Sequence, residues 1–129
     1  MLEYVLIAVG SAIGGIIRFW ISGMIENRVG QEFPCGTLVV NISGSFAIGF
    51  FMAVASDEER WIRIPHFRNF FTVGLCGGYT TFSSFSLQTL QLVQEYRWLL
   101  AGGNVALSLV LCFVFVWAGF ALGKSLCLR

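Results

Sequence analysis

The sequence predicts an all-α membrane protein with four transmembrane helices, the third of which is broken in mid-membrane. Of its 129 residues, 57% are hydrophobic and 12% are charged, whereas about 25% of the residues in an average soluble domain are charged. Four apolar runs are long enough to cross a bilayer, which takes roughly 17–25 residues. They use nearly all of residues 1–129, so we expect a single membrane domain and no soluble one. The runs lie at about 4–25, 36–55, 69–94 and 98–123.

The first run carries Gly10, Gly14 and Arg18 at spacings of four, which places them on one face of a helix. The glycines form a small-xxx-small pair, which permits the close approach of another helix. Arg18 is the only charge well inside a run, and an arginine at a helix centre costs about 2.5–3.5 kcal/mol on insertion scales. It either snorkels toward the helix end as an anchor or faces a wet cavity. The run is not a cleavable signal peptide, because it is too long and Glu3 precedes it without any Lys or Arg.

The second run follows a polar connector at 26–35 and presents one small, polar face. Asn41 lies in mid-span, and its amide must be hydrogen-bonded or hydrated because an unpaired amide in hydrocarbon costs several kcal/mol. It either binds a neighbouring helix, a contact worth about 0.6 kcal/mol in double-mutant cycles, or lines a polar path. The face consists of Thr37, Asn41, Gly44, Ser45 and Gly49.

The third run follows a charged connector at 56–68 and is predicted to break at 77–80. Two glycines and two threonines fall within five residues there, a composition that weakens a helix. Broken backbone at membrane depth is tolerated only where protein or a water-filled cavity surrounds it, and such breaks commonly mark ion or substrate sites. Two aromatic and two hydroxyl side chains follow the break, namely Phe82, Ser83, Ser84 and Phe85.

The fourth run carries Asn104, Ser108 and Cys112 at spacings of four, a second polar stripe that can face the first. A bundle of four helices leaves little interior space, so a transport function favours an oligomer with the pathway at or near the interface. The cysteines lack any Cys-x-x-Cys spacing, and we interpret them as small apolar residues without a disulfide framework or metal cluster. They are Cys35, Cys76, Cys112 and Cys127.

The positions of the charges exclude several function classes. No Asp or Glu lies inside an apolar run, which argues against a proton-coupled carrier and against a small multidrug-type exchanger, since that needs a membrane glutamate. His66 is the single histidine and no nucleophile–base pair is visible, so we do not expect an enzyme. The net charge of +1 gives no nucleic-acid signal.

Neutral hydrogen-bond donors remain, and these can replace water around an ion. The positive charge of Arg18 and the positive ring edges of Phe82 and Phe85 favour an anion. Carbonyls left free at the helix break can instead hold a cation such as Na⁺. The alternative is a structural or assembly protein whose polar stripes only hold membrane helices together. The candidate pathway residues are Thr37, Asn41, Phe82, Ser83, Ser84, Phe85, Asn104, Ser108 and Cys112.

Over essentially its full length the sequence resembles the CrcB/Fluc family of fluoride channels. Three signatures carry the resemblance, and each is weak alone but specific in combination. They are Gly14-x3-Arg18, then Gly36-Thr37-Leu38-x2-Asn41-x2-Gly44, and finally Gly77-Gly78-x-Thr80-Thr81-Phe82-Ser83-x-Phe85.

The resemblance implies a passive channel that exports fluoride, built as an antiparallel, dual-topology homodimer in the bacterial inner membrane with two fluoride pathways. It implies that the edges of the Phe82 and Phe85 rings contact fluoride and that Asn41 turns its amide toward the pathway. A polar track of Ser83, Ser84 and Ser108 and a vestibule arginine, Arg18, are likewise implied. So is a structural, untransported Na⁺ held by the backbone carbonyls of Gly77 and Thr80 from both subunits.

The sequence departs from the family pattern in three respects. Ser83-Ser84 replaces the frequent Ser-Thr between the phenylalanines, which keeps a donor. The track of the fourth run reads Asn104, Ser108, Cys112 in place of an aromatic hydroxyl followed by serines. Finally, five Lys/Arg lie outside the runs on the N-terminal side against Arg28 and Arg97 on the other. By the positive-inside rule this favours one orientation, so either the bias is too weak to fix it or an oppositely oriented paralogue is the partner. The five are Arg60, Arg63, Arg68, Lys124 and Arg129.

Overall fold

The computed structural model describes residues 1–55 and 65–127, and within them the ordered elements are all helical. Two stretches lie outside the described residues. They are 56–64, which includes Arg60 and Arg63 of the charged connector, and 128–129, which includes Arg129. Helices α1 and α2 are joined by a short connector, and α5 and α6 by a turn. The elements are α1 (Leu2–Val29), α2 (Cys35–Ala55), α3 (Pro65–Asn69), a π-helical segment (Phe70–Cys76), α4 (Gly77–Tyr79), α5 (Phe82–Gln94) and α6 (Trp98–Cys127).

Three helices are long and apolar enough to cross a membrane by length and composition, namely α1, α2 and α6. They match the first, second and fourth predicted runs. Helix α1 continues beyond its predicted run at both ends, and α6 continues beyond its run at the C-terminal end. The predicted third run is divided into shorter pieces, of which α5 is the longest at 13 residues. The number of span-capable helices described is therefore three, and a crossing by the third run stays a prediction.

The glycine face of α1 packs against the first half of the third run. A Cβ at Gly10 would lie 2.8 Å from the carbonyl oxygen of Phe70, and one at Gly14 would overlap the carbonyl oxygen of Leu75. Both glycines are buried, whereas Gly15, beside them in the sequence, faces open space. The close helix approach predicted from the Gly10/Gly14 pair is confirmed.

Helices α2 and α6 form the second close pair. A Cβ on Gly49 of α2 would overlap the carbonyl oxygen of Val116 on α6. In the same way, a Cβ on Gly119 of α6 would overlap the carbonyl oxygen of Phe46 on α2. Small residues on both helices thus let the two backbones meet. The second half of the third run, α5, packs against α6 of this pair, whereas the first half packs mainly against α1.

The interruption of the third run lies two to three residues beyond the glycines. Gly77–Tyr79 is helical, in contrast to the predicted break at 77–80. Thr80 (φ −79°, ψ 156°) and Thr81 (φ −150°, ψ 117°) are extended, and the helix resumes at Phe82. The segment before it is π-helical, a widening that the sequence pattern did not indicate.

Candidate ion pathway

A cavity of about 420 Å³ lies between α2, the interruption, the start of α5 and the middle of α6. It brings together residues from three of the predicted polar faces. Thr37, Ser83, Ser84 and Asn104 are not among its lining residues, and neither is Arg18. The predicted site residues that line it are Asn41, Gly77, Thr80, Phe82, Phe85, Ser108 and Cys112.

Asn41 holds the interruption in place. Its side-chain nitrogen donates to the carbonyl oxygen of Thr81 at 3.0 Å, and its side-chain oxygen accepts from the backbone N–H of Thr81 at 2.8 Å. The Asn41 side chain has two amide hydrogens. One is donated to the Thr81 carbonyl, and the other lies on a side chain that lines the cavity. Gly44, one turn further along α2, gives the room, because a Cβ there would overlap the Thr80 side chain. The partner that the sequence demanded for this amide is therefore the extended backbone itself.

Thr81 begins α5 as its N-cap. Its hydroxyl oxygen accepts from the backbone N–H of Ser84 at 3.1 Å, which satisfies one of the donors that a helix start leaves open. An extended N-cap residue with a hydroxyl is the usual way to begin a helix. The interruption is thus defined by two side chains, Asn41 and Thr81, which replace the missing helical hydrogen bonds.

These two replacements release the carbonyls of Gly77 and Thr80. In a continuous α-helix the Gly77 carbonyl would accept from the N–H of Thr81, but that N–H binds Asn41. The Thr80 carbonyl would accept from the N–H of Ser84, but that N–H binds the Thr81 hydroxyl. The two carbonyls predicted to hold a cation are therefore among those that the interruption leaves without helical donors.

A hydroxyl cluster connects the interruption to Arg18. The Thr81 hydroxyl lies 3.2 Å from the Ser83 hydroxyl and donates to the Ser84 hydroxyl at 3.1 Å. The guanidinium of Arg18 donates to the Ser84 hydroxyl at 3.4 Å, while its Nε is buried without a hydrogen-bond partner among the described residues. Arg18 therefore points toward α5 and bonds to it, and its role in a vestibule stays a prediction.

Phe82 and Phe85 form a tilted pair on the first turn of α5. Their ring centroids are 5.3 Å apart and the ring planes make an angle of 49°. Phe85 is buried, whereas 75% of Phe82 is exposed. A tilted pair presents ring edges, which carry partial positive charge, to whatever enters the cavity.

The polar stripe of α6 divides into two parts. Ser108 and Cys112 line the cavity, but Asn104 is only 2% exposed and turns to α5, where it donates to the Thr89 hydroxyl at 2.8 Å. Sequence reasoning missed Thr89, although a hydroxyl four residues after Phe85 was visible as a signal. Thr37 is buried near the start of α2, outside the cavity lining.

A second, more polar pocket of about 250 Å³ lies near the start of α2 and the end of α5. Arg97 forms long ion pairs there with Glu32 at 3.6 Å and with Glu95 at 3.7 Å. Gln88 lines this pocket one turn beyond Ser84, and its side-chain oxygen is buried without a partner in the described part of the chain. Gln88 follows Ser84 by four residues, so the two side chains share one face of α5.

The large cavity offers neutral donors, aromatic edges and free carbonyls, and none of its described lining residues is a carboxylate. Such a lining can replace the hydration shell of an ion without binding or releasing a proton. It lacks the nucleophile–base geometry that covalent or acid–base catalysis requires. The arrangement therefore favours ion passage.

Comparison with known proteins gives a consistent result. A family model described as "CrcB-like protein, Camphor Resistance (CrcB)" matches residues 5–120. A fluoride-specific ion channel FluC from Methylocella silvestris is 46% identical over 125 residues, covering 97% of this chain and 95% of the relative. The FluC protein of Rhodospirillum rubrum is 52% identical over 118 residues, covering 92% of this chain and 92% of the relative. The FluC protein of Paramagnetospirillum magneticum is 52% identical over 119 residues, covering 92% of this chain and 93% of the relative.

Proposed function

Since the chain belongs to the CrcB/Fluc family of ion channels, we propose that it is a fluoride-selective channel that exports fluoride passively and lowers its cytoplasmic concentration. It is a multi-pass protein of the bacterial cell membrane, and its family is one of channels and not of enzymes. Relatives over nearly the whole chain carry the name fluoride-specific ion channel, which supports fluoride as the permeant ion.

The observation that carries the proposal is the composition of the large cavity. The Phe82/Phe85 ring pair, the Asn41 amide and the Ser108 hydroxyl converge there without a carboxylate among the described lining residues. A small, strongly hydrated anion needs several such donors to replace its water. Ring edges contribute positive charge without a fixed counter-ion that would trap the anion.

Export follows from the electrical driving force. Fluoride enters cells as HF, which crosses membranes and ionises inside. A negative interior repels a monovalent anion by about 2.3 kcal/mol per 100 mV, so an open passive pathway lets fluoride leave. No coupled ion is needed, in keeping with the absence of acidic residues from the apolar runs.

The released carbonyls fit a structural sodium ion. Gly77 and Thr80 both lie on the cavity, and the N–H groups that would otherwise engage their carbonyls are bound to Asn41 and Thr81. Oxygen atoms at the end of a helical segment, where the dipole is negative, suit a hard monovalent cation. The ion would neutralise these carbonyls and hold the interruption open, and it would not be transported.

The functional unit is an antiparallel homodimer. In a single chain 75% of Phe82 is exposed and Gly77 is exposed as well, so the predicted ion-contacting groups lie at an open surface. A second copy would enclose them and bring further carbonyls to the cation. The imbalance of Lys and Arg leaves an oppositely oriented paralogue as the alternative partner.

Reconstitution tests the function. Liposomes loaded with fluoride and chloride and containing the purified protein should release fluoride rapidly and retain chloride, as measured with ion-selective electrodes. Protein-free liposomes are the control. Equal release of the two anions would refute a fluoride-selective channel. Release of neither anion would favour a structural or assembly protein. The bond between Asn104 and Thr89 would then serve only to pack two helices together.

A further inference from the structure

Asn104 is the most deeply buried polar residue of α6, and it lies one turn before cavity-lining Ser108. Only 2% of it is exposed, and it does not line the large cavity. A buried amide must be paired, because an unpaired one costs several kcal/mol. Its hydrogen bonds therefore show what it does.

The chain of bonds through Asn104 has a fixed direction. The Phe85 carbonyl can only accept, and the Thr89 hydroxyl donates to it at 2.8 Å. The Thr89 oxygen in turn accepts from the Asn104 side-chain nitrogen at 2.8 Å. The Asn104 oxygen consequently faces Ser108, whose hydroxyl is directed to it at 3.5 Å. The four residues form a line of hydrogen bonds that begins at the Ser108 hydroxyl and ends at the Phe85 carbonyl, and both of these residues line the cavity.

The bonds of this line differ in strength. The two at 2.8 Å are of ordinary length, whereas 3.5 Å is at the limit of a hydrogen bond. The Ser108 hydrogen is therefore held weakly and can turn to an anion in the cavity at little cost. Asn104 itself is held firmly to α5.

The need for such a link follows from the interruption. Helix α5 begins at Phe82, directly after two extended residues, so no continuous helix fixes its position or rotation. Asn41 fixes the residue before its first turn, and the Asn104–Thr89 bond fixes its second turn to α6. Phe85 lies between these two attachments.

We propose that Asn104 is a positioning residue for conduction, which acts through Thr89 to set the orientation of Phe85 while leaving the Ser108 hydroxyl available to the anion. This rests on the proposed fluoride pathway through Phe85 and Ser108. It assigns Asn104 an indirect role, in place of the direct contact with fluoride that its spacing on α6 predicted.

Four variants test this role by fluoride efflux from liposomes and by the melting temperature in detergent. Thr89→Val and Asn104→Leu each remove one partner, and we expect fluoride efflux about tenfold slower in both, with a lower melting temperature. Thr89→Ser keeps the hydroxyl and should conduct at the wild-type rate. The double variant Thr89→Val/Asn104→Leu removes both partners of the Asn104–Thr89 bond, and the one group it leaves without its partner is the weakly held Ser108 hydroxyl, which lines the cavity. Its melting temperature should therefore recover most of the loss.

The double variant separates positioning from mere stability. With positioning, its fluoride efflux stays about tenfold below wild type and is no slower than in either single variant, because all three lack the same link. Recovery of efflux together with the melting temperature would overturn the proposal, as would wild-type efflux in Thr89→Val.

A second measurement does not depend on conduction. With 4-fluorophenylalanine at position 85, the fluorine resonance in the detergent-solubilised protein should move or broaden in Thr89→Val and in the double variant, but not in Thr89→Ser. An unmoved resonance in the double variant would overturn the positioning role. Absence of fluoride efflux from the wild type would instead refute the proposed function and leave this measurement to decide on Asn104.

Discussion

Replacement of Asn41 by leucine perturbs the interruption with little change in volume. The wild-type amide makes two hydrogen bonds to the backbone of Thr81, at 3.0 and 2.8 Å. Hydrogen bonds between membrane helices contribute about 0.6 kcal/mol on average and up to about 1.7, so loss of both costs about 1–3 kcal/mol. A loss of this size lowers the melting temperature by several degrees in a chain of this length.

The chain can recover part of that loss within its own backbone. The N–H of Thr81 can return to the Gly77 carbonyl and continue the helix, which restores one bond. That repair withdraws a carbonyl from the proposed cation site and rotates Phe82 and Phe85 relative to α2. We therefore expect Asn41→Leu to slow fluoride efflux by at least about tenfold, because misplacement of a reacting or binding group by about 1 Å has effects of that order.

Melting in detergent and fluoride efflux from liposomes measure the two effects. Ser125→Ala is the control, because Ser125 is exposed near the end of α6 and its hydroxyl donates to its own helix, at the Leu122 carbonyl. It should behave as wild type in both assays. Wild-type stability together with wild-type efflux in Asn41→Leu would refute the role of this amide in the interruption.

Three further predictions concern the pathway, the cation and the packing. Phe82→Ala should slow fluoride efflux and keep the helical circular dichroism spectrum of the wild type, because 75% of this side chain is exposed in the single chain and the fold of the chain does not depend on it; unchanged efflux would remove Phe82 from the pathway. Dialysis against Na⁺-free buffer should reduce efflux and return of Na⁺ should restore it, whereas full efflux after rigorous Na⁺ removal would exclude a required ion at the carbonyls. Gly14→Ala should destabilise the protein by about 1–3 kcal/mol, because its Cβ would overlap the Leu75 carbonyl. Gly15→Ala, which meets open space, should not, and equal melting temperatures in the two would contradict the close packing of α1.

Local patterns were sufficient to predict much of this fold. Length and apolarity place α1, α2 and α6 to within a few residues, because membrane helices are defined by those two properties. The close contact of α1 could be predicted because the spacing of Gly10 and Gly14 alone places two small residues on one helix face. The demand for a partner at Asn41 was equally local, as a mid-span amide cannot stay unpaired.

The exact place of the interruption could not be read from local propensity. Glycine permits a break without requiring one, and Gly77 and Gly78 remain helical. The break falls at Thr80 and Thr81, where bonds from Asn41, forty residues earlier in the chain, compete with the helix. The Asn104–Thr89 pairing was missed for the same reason, because it depends on which helix faces which.

The interruption gives a reason why the two proposed sites, of opposite sign, would lie so close together. A helix that stops at Tyr79 has free carbonyls and a negative dipole end, and a helix that starts at Phe82 has a positive one. Two extended residues separate them, so the end proposed to bind the cation and the end proposed to bind the anion face the same cavity. Because Asn41 and Thr81 create both ends by diverting two N–H groups, a change at either residue should affect sodium dependence and fluoride efflux together. Variants of Asn104 or Thr89 act beyond the interruption, and they should slow efflux without altering its dependence on sodium.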